Sequence, residues 1–190
     1  VDQIDGGPGT NVINPDLPAQ LPALSLSTGP ELGGHWVELS GSASTGGLTQ
    51  VGGSEEALYV GNDDGVYMAW VDWRNGNSEI YLAFHSNEGG DWIELDGSAS
   101  GGGISNDAAQ SRRPTIVELE GVDAQGKPVT ELLVAWTKID ATGASTIAVR
   151  RLDDLIGWDV VASPAATGTA DDAKWVQYAE GSALLGWHNS

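Results

Sequence analysis

The sequence predicts an all-β protein built from repeats, and three observations support that prediction. A phrase of one Trp, a short β-prone run and a small-residue segment occurs at Trp36–Gln50 and again at Trp92–Asn106. Short apolar runs alternate with turns rich in Gly, Asn and Asp, which is typical of antiparallel hairpins. Further Trp residues recur at one place in each unit. Self-similarity at a long period indicates a repeat architecture.

A third, weaker copy of the phrase begins at Trp158 in "GWDVVASPAATG", so the units begin near residues 36, 92 and 158. After each phrase come two apolar strands joined by a turn, and the second strand contains Trp70, Trp136 or Trp187. A last strand follows in "SEIYLAFHS" and in "STIAVRRL". One unit is therefore predicted to be four antiparallel strands, with the phrase supplying the first.

The two chain ends hold incomplete units. The run "ALSLST" lies where a fourth strand belongs, just before the first phrase, and the chain ends after a third strand. This count predicts about three four-stranded antiparallel sheets in residues 23–190, with the N-terminal strand completing the last sheet. An open stack of sheets or a β-sandwich is the alternative arrangement.

We assign the residues that recur with the unit to the fold, since a single active site needs only one copy. These are Trp36, Trp92, Trp158, Trp70, Trp136 and Trp187, together with the phrase glycines Gly46, Gly47, Gly102 and Gly103. The small residues would let the backbone pass close to a neighbouring sheet. On this interpretation Gly102→Val should destabilise the fold, whereas Ser98→Ala should have little effect.

Residues 1–22 differ from the rest of the chain, because they are rich in Pro, Gly, Asn and Asp. They are expected to form either a linker or an extended arm that pairs with a sheet edge of a neighbouring subunit. The stretch "NVIN" has the β-branched content of a short strand. The chain begins at Val1 without a signal-like segment, so we expect a processed secreted protein or a fragment.

The units resemble bacterial β-propeller-like repeats of large secreted or surface proteins. The resemblance rests on the phrase "W-[VI]-E-L-x-G-S-A-S-x-G-G", on "MAW" or "VAW" in the third strand, and on "GNSEIYLAF" in the fourth. It implies propeller-like blades and an extracellular or cell-surface location. "SNEGGDW" is also faintly similar to the Asp-box turn of sialidase-type propellers, a fold-stabilising turn that implies no activity by itself.

Composition limits the partners. The formal net charge is −19, from 27 acidic and 8 basic residues, and the only adjacent basic pairs are Arg112-Arg113 and Arg150-Arg151. Nucleic acid and anionic membrane surfaces require clustered Lys and Arg, so neither is an expected partner. No apolar run approaches the length of a membrane-spanning helix. The chain has no Cys, which excludes disulfides and thiolate sites.

Catalytic motifs are weak. A sialidase needs an arginine cluster and a Tyr nucleophile with an acidic partner, and the five arginines are dispersed in the sequence. No Ser lies in a Gly-x-Ser-x-Gly elbow. The three histidines have no zinc-ligand spacing. We therefore predict no catalytic residues and no enzymatic activity.

Two features indicate ligands. Acidic turns could hold Ca²⁺ through carboxylate and carbonyl oxygens, with Asp63, Asp64, Asp153 and Asp154 as the candidates, and the pair Asp171-Asp172 as a further one. A plain turn explains the same composition. Trp73 breaks the Trp pattern, so its ring could stack on a sugar or cover a hairpin edge. No other cofactor is predicted.

The sequence as a whole predicts a non-catalytic extracellular module for self-assembly or adhesion, whose partners are copies of itself or a longer parent chain. A carbohydrate-binding propeller segment with glycan partners is the first alternative. A sialidase-like glycoside hydrolase is the second.

Overall fold

The computed structural model describes residues 3–5, 10–12, 24–27, 35–38, 40, 42, 47–49, 57–61, 65–122, 125–153, 157–162, 169–179 and 181–189. All regular structure in these residues is β-strand, and every strand pair is antiparallel. The all-β prediction is therefore confirmed. The chain divides into two compact units, Val1–Ser54 and Glu55–Ser190. The predicted division at residue 22 stays a prediction.

The first unit contains two short hairpins in its described residues. β1 (Gln3–Asp5) pairs with β2 (Thr10–Val12), and β3 (Leu24–Ser27) pairs with β4 (His35–Glu38). β2 includes Asn11 and Val12 of "NVIN", whose last two residues lie outside the described residues, and its partner lies within the same N-terminal segment. β3 confirms the strand predicted for "ALSLST". The interpretation of residues 1–22 as an arm or a linker stays a prediction.

The described part of the second unit contains nine strands in three sheets. Their bounds are β5 Ala57–Gly61, β6 Gly65–Asp72, β7 Glu79–Ser86, β8 Gln110–Val122, β9 Pro128–Ile139, β10 Ser145–Asp153, β11 Gly157–Ala162, β12 Ala170–Ala179 and β13 Ser182–Asn189. The strand orders are β5-β6-β7, then β11-β10-β9-β8, then β12-β13. Every hairpin predicted from an Asn-, Asp- or Gly-containing turn in this unit is present.

The four-stranded sheet lies between the other two sheets, and both of its faces are buried. One face packs against β5–β7 in a core formed by Ala69, Val71, Ile80, Leu82, Ile104, Ile116, Leu132, Val134 and Trp136. The other face packs against β12–β13 in a core formed by Val117, Leu133, Ala135, Ile147, Val149, Ala170 and Ala173. Successive residues of a strand point to opposite faces. The continuous apolar run of β9 is the consequence, because β9 supplies both cores.

The phrase strand closes a sheet instead of opening one, which corrects the predicted order within a unit. In β4, Trp36 lies opposite Leu26 of β3, and in β11, Trp158 lies opposite Leu152 of β10. In the second phrase, Ile93 forms a bridge with Phe84 of β7. The short connection from each fourth strand to the next phrase explains this order, since consecutive strands joined by short loops pair with each other.

Beyond Ile93 the phrase continues along β7 as an interrupted edge strand. The backbone N–H of Leu82 donates to the Ser98 carbonyl (2.9 Å), and that of Ile104 donates to the Ile80 carbonyl (2.8 Å). The N–H of Ser111 donates to the Ser78 carbonyl (2.8 Å), after which the chain continues as β8 in the next sheet. Between these contacts the small residues loop out in tight turns. The phrase therefore completes one sheet and delivers the chain to the next.

The first two phrases match in backbone conformation and burial at the equivalent positions that the structure describes. Ser40 and Asp96 occupy the same place and have φ values of 44° and 49°. Gly47 and Gly103 likewise have φ values of 60° and 63°. The next equivalent pairs, Ser42 with Ser98 and Thr49 with Ser105, are all buried. These matches, at positions 56 residues apart, agree with the repeat that the sequence predicts. Gly46 lies outside the described residues.

Gly103 makes the close approach that the sequence predicts for the phrase. A Cβ atom on Gly103 would overlap the backbone carbonyl oxygen of Ile80, and its φ of +63° is a conformation that side chains disfavour. A Cβ on Gly102 would instead meet the side chain of Asn106, which can move. A side chain at Gly103 is therefore expected to disturb the fold more than a side chain at Gly102.

We expect Gly103→Ala to destabilise the second unit more than Gly126→Ala. Gly126 also has a positive φ (+79°), but a Cβ there would meet nothing within 4 Å. Both variants carry the left-handed backbone cost of about 1–2 kcal/mol, and only Gly103→Ala adds the overlap with Ile80. Urea unfolding of the full chain measures the difference. Equal losses in the two variants would contradict the close-approach interpretation.

Ser98 has a role that the sequence did not indicate, and the expectation for Ser98→Ala is revised. Its side chain is fully buried, its Oγ donates to the Leu82 carbonyl (2.7 Å), and it accepts from the Leu95 N–H (3.0 Å). We expect Ser98→Ala to lower the free energy of unfolding by about 1–3 kcal/mol, because both backbone partners lose a bond in a buried place. Ser100→Ala, at an exposed serine of the same phrase, is the control, and it should change stability by less than about 0.5 kcal/mol.

Candidate functional site

The recurring Trp residues occupy two kinds of place. Trp70 and Trp136, at the same position of β6 and β9, are buried in the second unit. Trp158 donates from Nε1 to the carbonyl of Leu95 in the preceding phrase (2.8 Å), and so joins neighbouring sheets. Trp92 packs on the His85 ring, with 5.3 Å between centroids. These contacts lie within the fold, and the structural assignment of the recurring Trp residues stays a prediction; the side chain of Trp36 lies outside the described residues.

Trp187 differs from Trp70 and Trp136 in its exposure. It holds the position of Trp70 and Trp136 on β13, yet its side chain is 39% exposed. In the complete sheets the next strand lies beside this Trp, since Trp70 is opposite Tyr81 and Trp136 is opposite Ala148. The described chain has no strand after β13. Trp187 is therefore partly exposed, although it has the repeat position of two buried Trp residues.

A buried polar cluster lies where β7 begins, beside the second phrase. Glu79 is buried, and its carboxylate accepts from the Ser105 hydroxyl, from Asn77 Nδ2 (2.7 Å) and from the Asp107 N–H (3.3 Å). Asn77 Nδ2 also donates to the carbonyls of Asp107 and Ala109. Burial raises the pKa of Glu79 above its ordinary value, and the hydrogen bonds only partly oppose this.

A second group extends the cluster along the β6–β7 turn. Arg74 pairs with the buried Asp72 (2.6 Å), stacks on the Tyr81 ring at 4.1 Å from its centroid, and donates to the Ala99 carbonyl (3.0 Å). The Tyr81 hydroxyl donates to the Gly101 carbonyl (3.0 Å), which Asn75 also contacts. Burial raises the pKa of Tyr81, which favours the neutral phenol over a nucleophilic phenolate.

These polar side chains hold the phrase to β7. Their partners are mainly backbone carbonyls and N–H groups of residues 99–109. The cluster therefore supplies hydrogen bonds to the backbone of the loop that the small residues form. The sequence analysis did not single out Asp72, Arg74, Glu79 or Tyr81. A sequence signal for this cluster exists. The stretch "DWRNGNSEIY" has Arg, Asn and Glu at positions where the next unit, "KIDATGASTI", has other residues.

Arginines in the second unit form separate ion pairs. Arg113 pairs with Asp171, Arg151 with Glu131 (3.2 Å) and Arg74 with Asp72. A sialidase-like site needs arginines directed together at one substrate carboxylate. The three pairs lie on different strands and their partners are acidic side chains of the protein, so this geometry gives the hydrolase hypothesis no support.

The calcium candidates are only partly described. Asp63, Asp64 and Asp154 lie outside the described residues, as does the side chain of Asp153. Asp171 binds Arg113 and accepts from Thr137 Oγ1 (3.1 Å), and Asp172 pairs with Lys174 (3.1 Å). Where side chains are described, no group of three or more His, Asp or Glu residues is placed to hold a metal ion. Calcium binding stays a prediction.

Trp73 lies half-buried at the β6–β7 turn, where its carbonyl accepts from the Gly76 N–H (2.9 Å). The polar neighbours Arg74 and Asn75 bind Asp72, Tyr81 and the phrase backbone. These contacts favour the interpretation of Trp73 as hairpin cover, and sugar binding at this residue stays a prediction.

The largest group of exposed apolar side chains lies on the β12–β13 hairpin. Val176 (58% exposed), Tyr178 (64%) and Leu184 (61%) accompany Trp187 on these two strands. Val176 lies directly opposite Leu184. We call Val176, Tyr178 and Leu184 the hairpin surface, because Trp187 lies three residues from Leu184 along β13 and points to the opposite face. Contiguous apolar exposure of this kind typically marks an interaction site.

The complete sheet shows what normally covers these positions. Counting from the recurring Trp, Leu184 corresponds to Leu133, and Val176 corresponds to Val117, which lies opposite Leu133. Val117 and Leu133 are 6% and 8% exposed because the β12–β13 sheet packs on them. The equivalent pair on β12–β13 has no such sheet in the described chain. The hairpin surface is thus a repeat face without its next neighbour.

Comparisons with protein-family models, with curated proteins and with solved structures find no match to this chain. None of the described residues belongs to a helix of the length and apolarity that a membrane crossing requires.

We expect Glu79→Gln to change the pH dependence of stability. The folded state holds the Glu79 proton to higher pH than the unfolded state, whose pKa is near 4.5. Stability is therefore lost as pH rises from that value through the folded pKa. Gln cannot ionise, so the variant should gain stability relative to the wild type across this window, by about 1.4 kcal/mol per unit of pKa difference.

Denaturant unfolding at a series of pH values measures this effect, with Glu88→Gln as the control because Glu88 is exposed. If the Glu79 and Glu88 variants show the same pH profile, burial of the Glu79 carboxyl does not govern its titration.

Proposed function

We propose that the chain is a non-catalytic structural module of a bacterial cell surface or the extracellular space, which associates with copies of itself or with repeats of a longer parent chain. The hairpin surface carries this proposal. Its central pair, Val176 and Leu184, matches a pair that is buried between sheets one unit earlier. A surface with the pattern of a sheet-to-sheet core is best covered by another sheet of the same kind.

The open edge of β13 supports the same proposal. A strand at the end of a sheet presents unpaired backbone donors and acceptors that can pair with another chain. Proteins that avoid such pairing place charges along the edge. The strand β13 reads "SALLGWHN", without a Lys, Arg, Asp or Glu. In a chain of net charge −19, this uncharged strand is a local exception.

Charge sets the conditions of association. Two copies of net charge −19 repel each other over distances beyond the contact itself. Salt shortens the range of this repulsion to about 8 Å at physiological ionic strength. Apolar contacts at the hairpin surface keep their strength under the same conditions. Association through this surface should therefore strengthen as salt is added.

We expect the full chain to associate in a concentration-dependent way, and Val176→Ser with Leu184→Ser to weaken this. Sedimentation velocity with added salt measures the mass, which should rise above the 19.7 kDa of one copy. Burying a Val or Leu contributes about 1.5–3 kcal/mol, so losing both should raise the dissociation constant about tenfold or more.

Ile93→Ser is the matched control, because Ile93 is also half-exposed (50%) but lies outside the hairpin surface. A wild-type chain that stays at the mass of one copy under all these conditions would contradict self-association. Equal weakening by the control and the double variant would place the contact elsewhere.

A further inference from the structure

Two hairpins of the described chain contain complementary strand types of one sheet. A complete sheet, β8–β11, contains two apolar strands, a fourth strand and a phrase strand. The β12–β13 hairpin supplies the first two of these types. The β3–β4 hairpin supplies the last two, a fourth strand followed by the phrase strand of Trp36. Among the described strands, neither hairpin pairs with a further strand.

We propose that β3 of a second copy adds antiparallel to β13, so that the β3–β4 pair completes the sheet begun by β12–β13. This inference rests on the proposed self-association and names the elements that meet. Addition of a strand to an open edge is a recurring mode of recognition, in which main-chain hydrogen bonds supply affinity.

The complete sheets predict the register of this pairing. In β6–β7, Trp70 lies opposite Tyr81. The phrase residue Trp92 lies opposite His85, as the Phe84–Ile93 bridge shows, and His85 is four residues after Tyr81. In β9–β10, Trp136 lies opposite Ala148, and the phrase residue Trp158 lies opposite Leu152, which is again four residues later. Two independent sheets thus have one common offset.

The same offset fixes the pairing of β13 with β3. In β3 the residue opposite the phrase Trp36 is Leu26, so Leu26 would lie opposite Ala183, four residues before Trp187. The other pairs of this register are Leu24 with Leu185, Ser25 with Leu184 and Ser27 with Ser182.

A second copy is the occupant that the strand types favour. Within the described residues, the β3–β4 pair combines a fourth strand with a phrase strand and pairs with no other strand. Two copies can exchange these pairs, each completing the β12–β13 sheet of the other. Such an exchange is reciprocal, as a two-fold dimer requires, because each copy donates one half-sheet and accepts the other.

Disulfide trapping tests the inference, and the absence of native cysteine makes it unambiguous. Residues directly opposite in an antiparallel pair have Cα atoms about 4.5–5.5 Å apart, within the range that a disulfide needs. The Ser25→Cys chain, mixed with the Leu184→Cys chain and oxidised mildly, should give a cross-linked heterodimer. Ser25→Cys mixed with His188→Cys is the control, four residues out of register, and should give at least tenfold less.

Each outcome of the experiment decides the question. A heterodimer of Ser25→Cys with Leu184→Cys, and little with His188→Cys, supports the pairing and its register. Equal yields in both mixtures overturn the register. A cross-link found only within one chain, in the double variant Ser25→Cys/Leu184→Cys, overturns the second copy as occupant. If wild-type chains associate in sedimentation but Ser25 and Leu184 never cross-link, this inference fails while the proposed self-association stands.

Discussion

The backbone pairing between a fourth strand and the phrase that follows it is the constraint on which the rest of the fold depends. The phrase contacts β7 at Ile93, Ser98 and Ile104, and Ser111 of β8 contacts Ser78 just before β7, each through a main-chain hydrogen bond. The chain advances eighteen residues from Ile93 to Ser111, whereas their partners advance only from Phe84 to Ser78. The excess length has to turn back on itself between contacts, and only small residues fit turns so tight against a strand.

Buried polar groups follow from this arrangement. An edge strand that is interrupted by turns leaves carbonyls and N–H groups without ladder partners, and such groups are costly when they are removed from water. Arg74, Asn77 and Ser105 supply or relay the missing hydrogen bonds in the second phrase. The raised pKa of Glu79 shows the accompanying cost, since a carboxyl had to be buried to complete the network. The polar cluster around Glu79 and Arg74 resembles an active site in composition. Its hydrogen bonds to the backbone of the phrase loop explain why these polar residues are buried there.

Much of the fold could be predicted from the sequence because turns and apolar runs are local signals. The hairpins β6–β7 and β9–β10 follow directly from "RNGN" and "DATG" between apolar strands. The order of strands within a unit could not be predicted in this way. A repeating sequence does not show which strand begins a sheet, and the pairing of strands depends on the lengths of the loops between them. The burial of Ser98 could not be predicted either, because a serine within a run of small residues does not indicate whether its side chain faces the core or the solvent. Trp187 has the sequence context of a core residue, and its exposure follows from missing neighbours.

The two chain ends differ from the middle in a way that follows from the repeat itself. The β8–β11 sheet has a neighbouring sheet on both faces, so its apolar residues are buried within the fold. The same pattern recurs from Ala170 to Asn189, where the described chain has no further sheet to cover it and Val176 and Leu184 are exposed. A strongly acidic surface opposes nonspecific addition of other chains to such a site. In the proposed self-association, a segment with the matching strand spacing and apolar alternation supplies the attraction that opposes this repulsion, and the β3–β4 hairpin is such a segment.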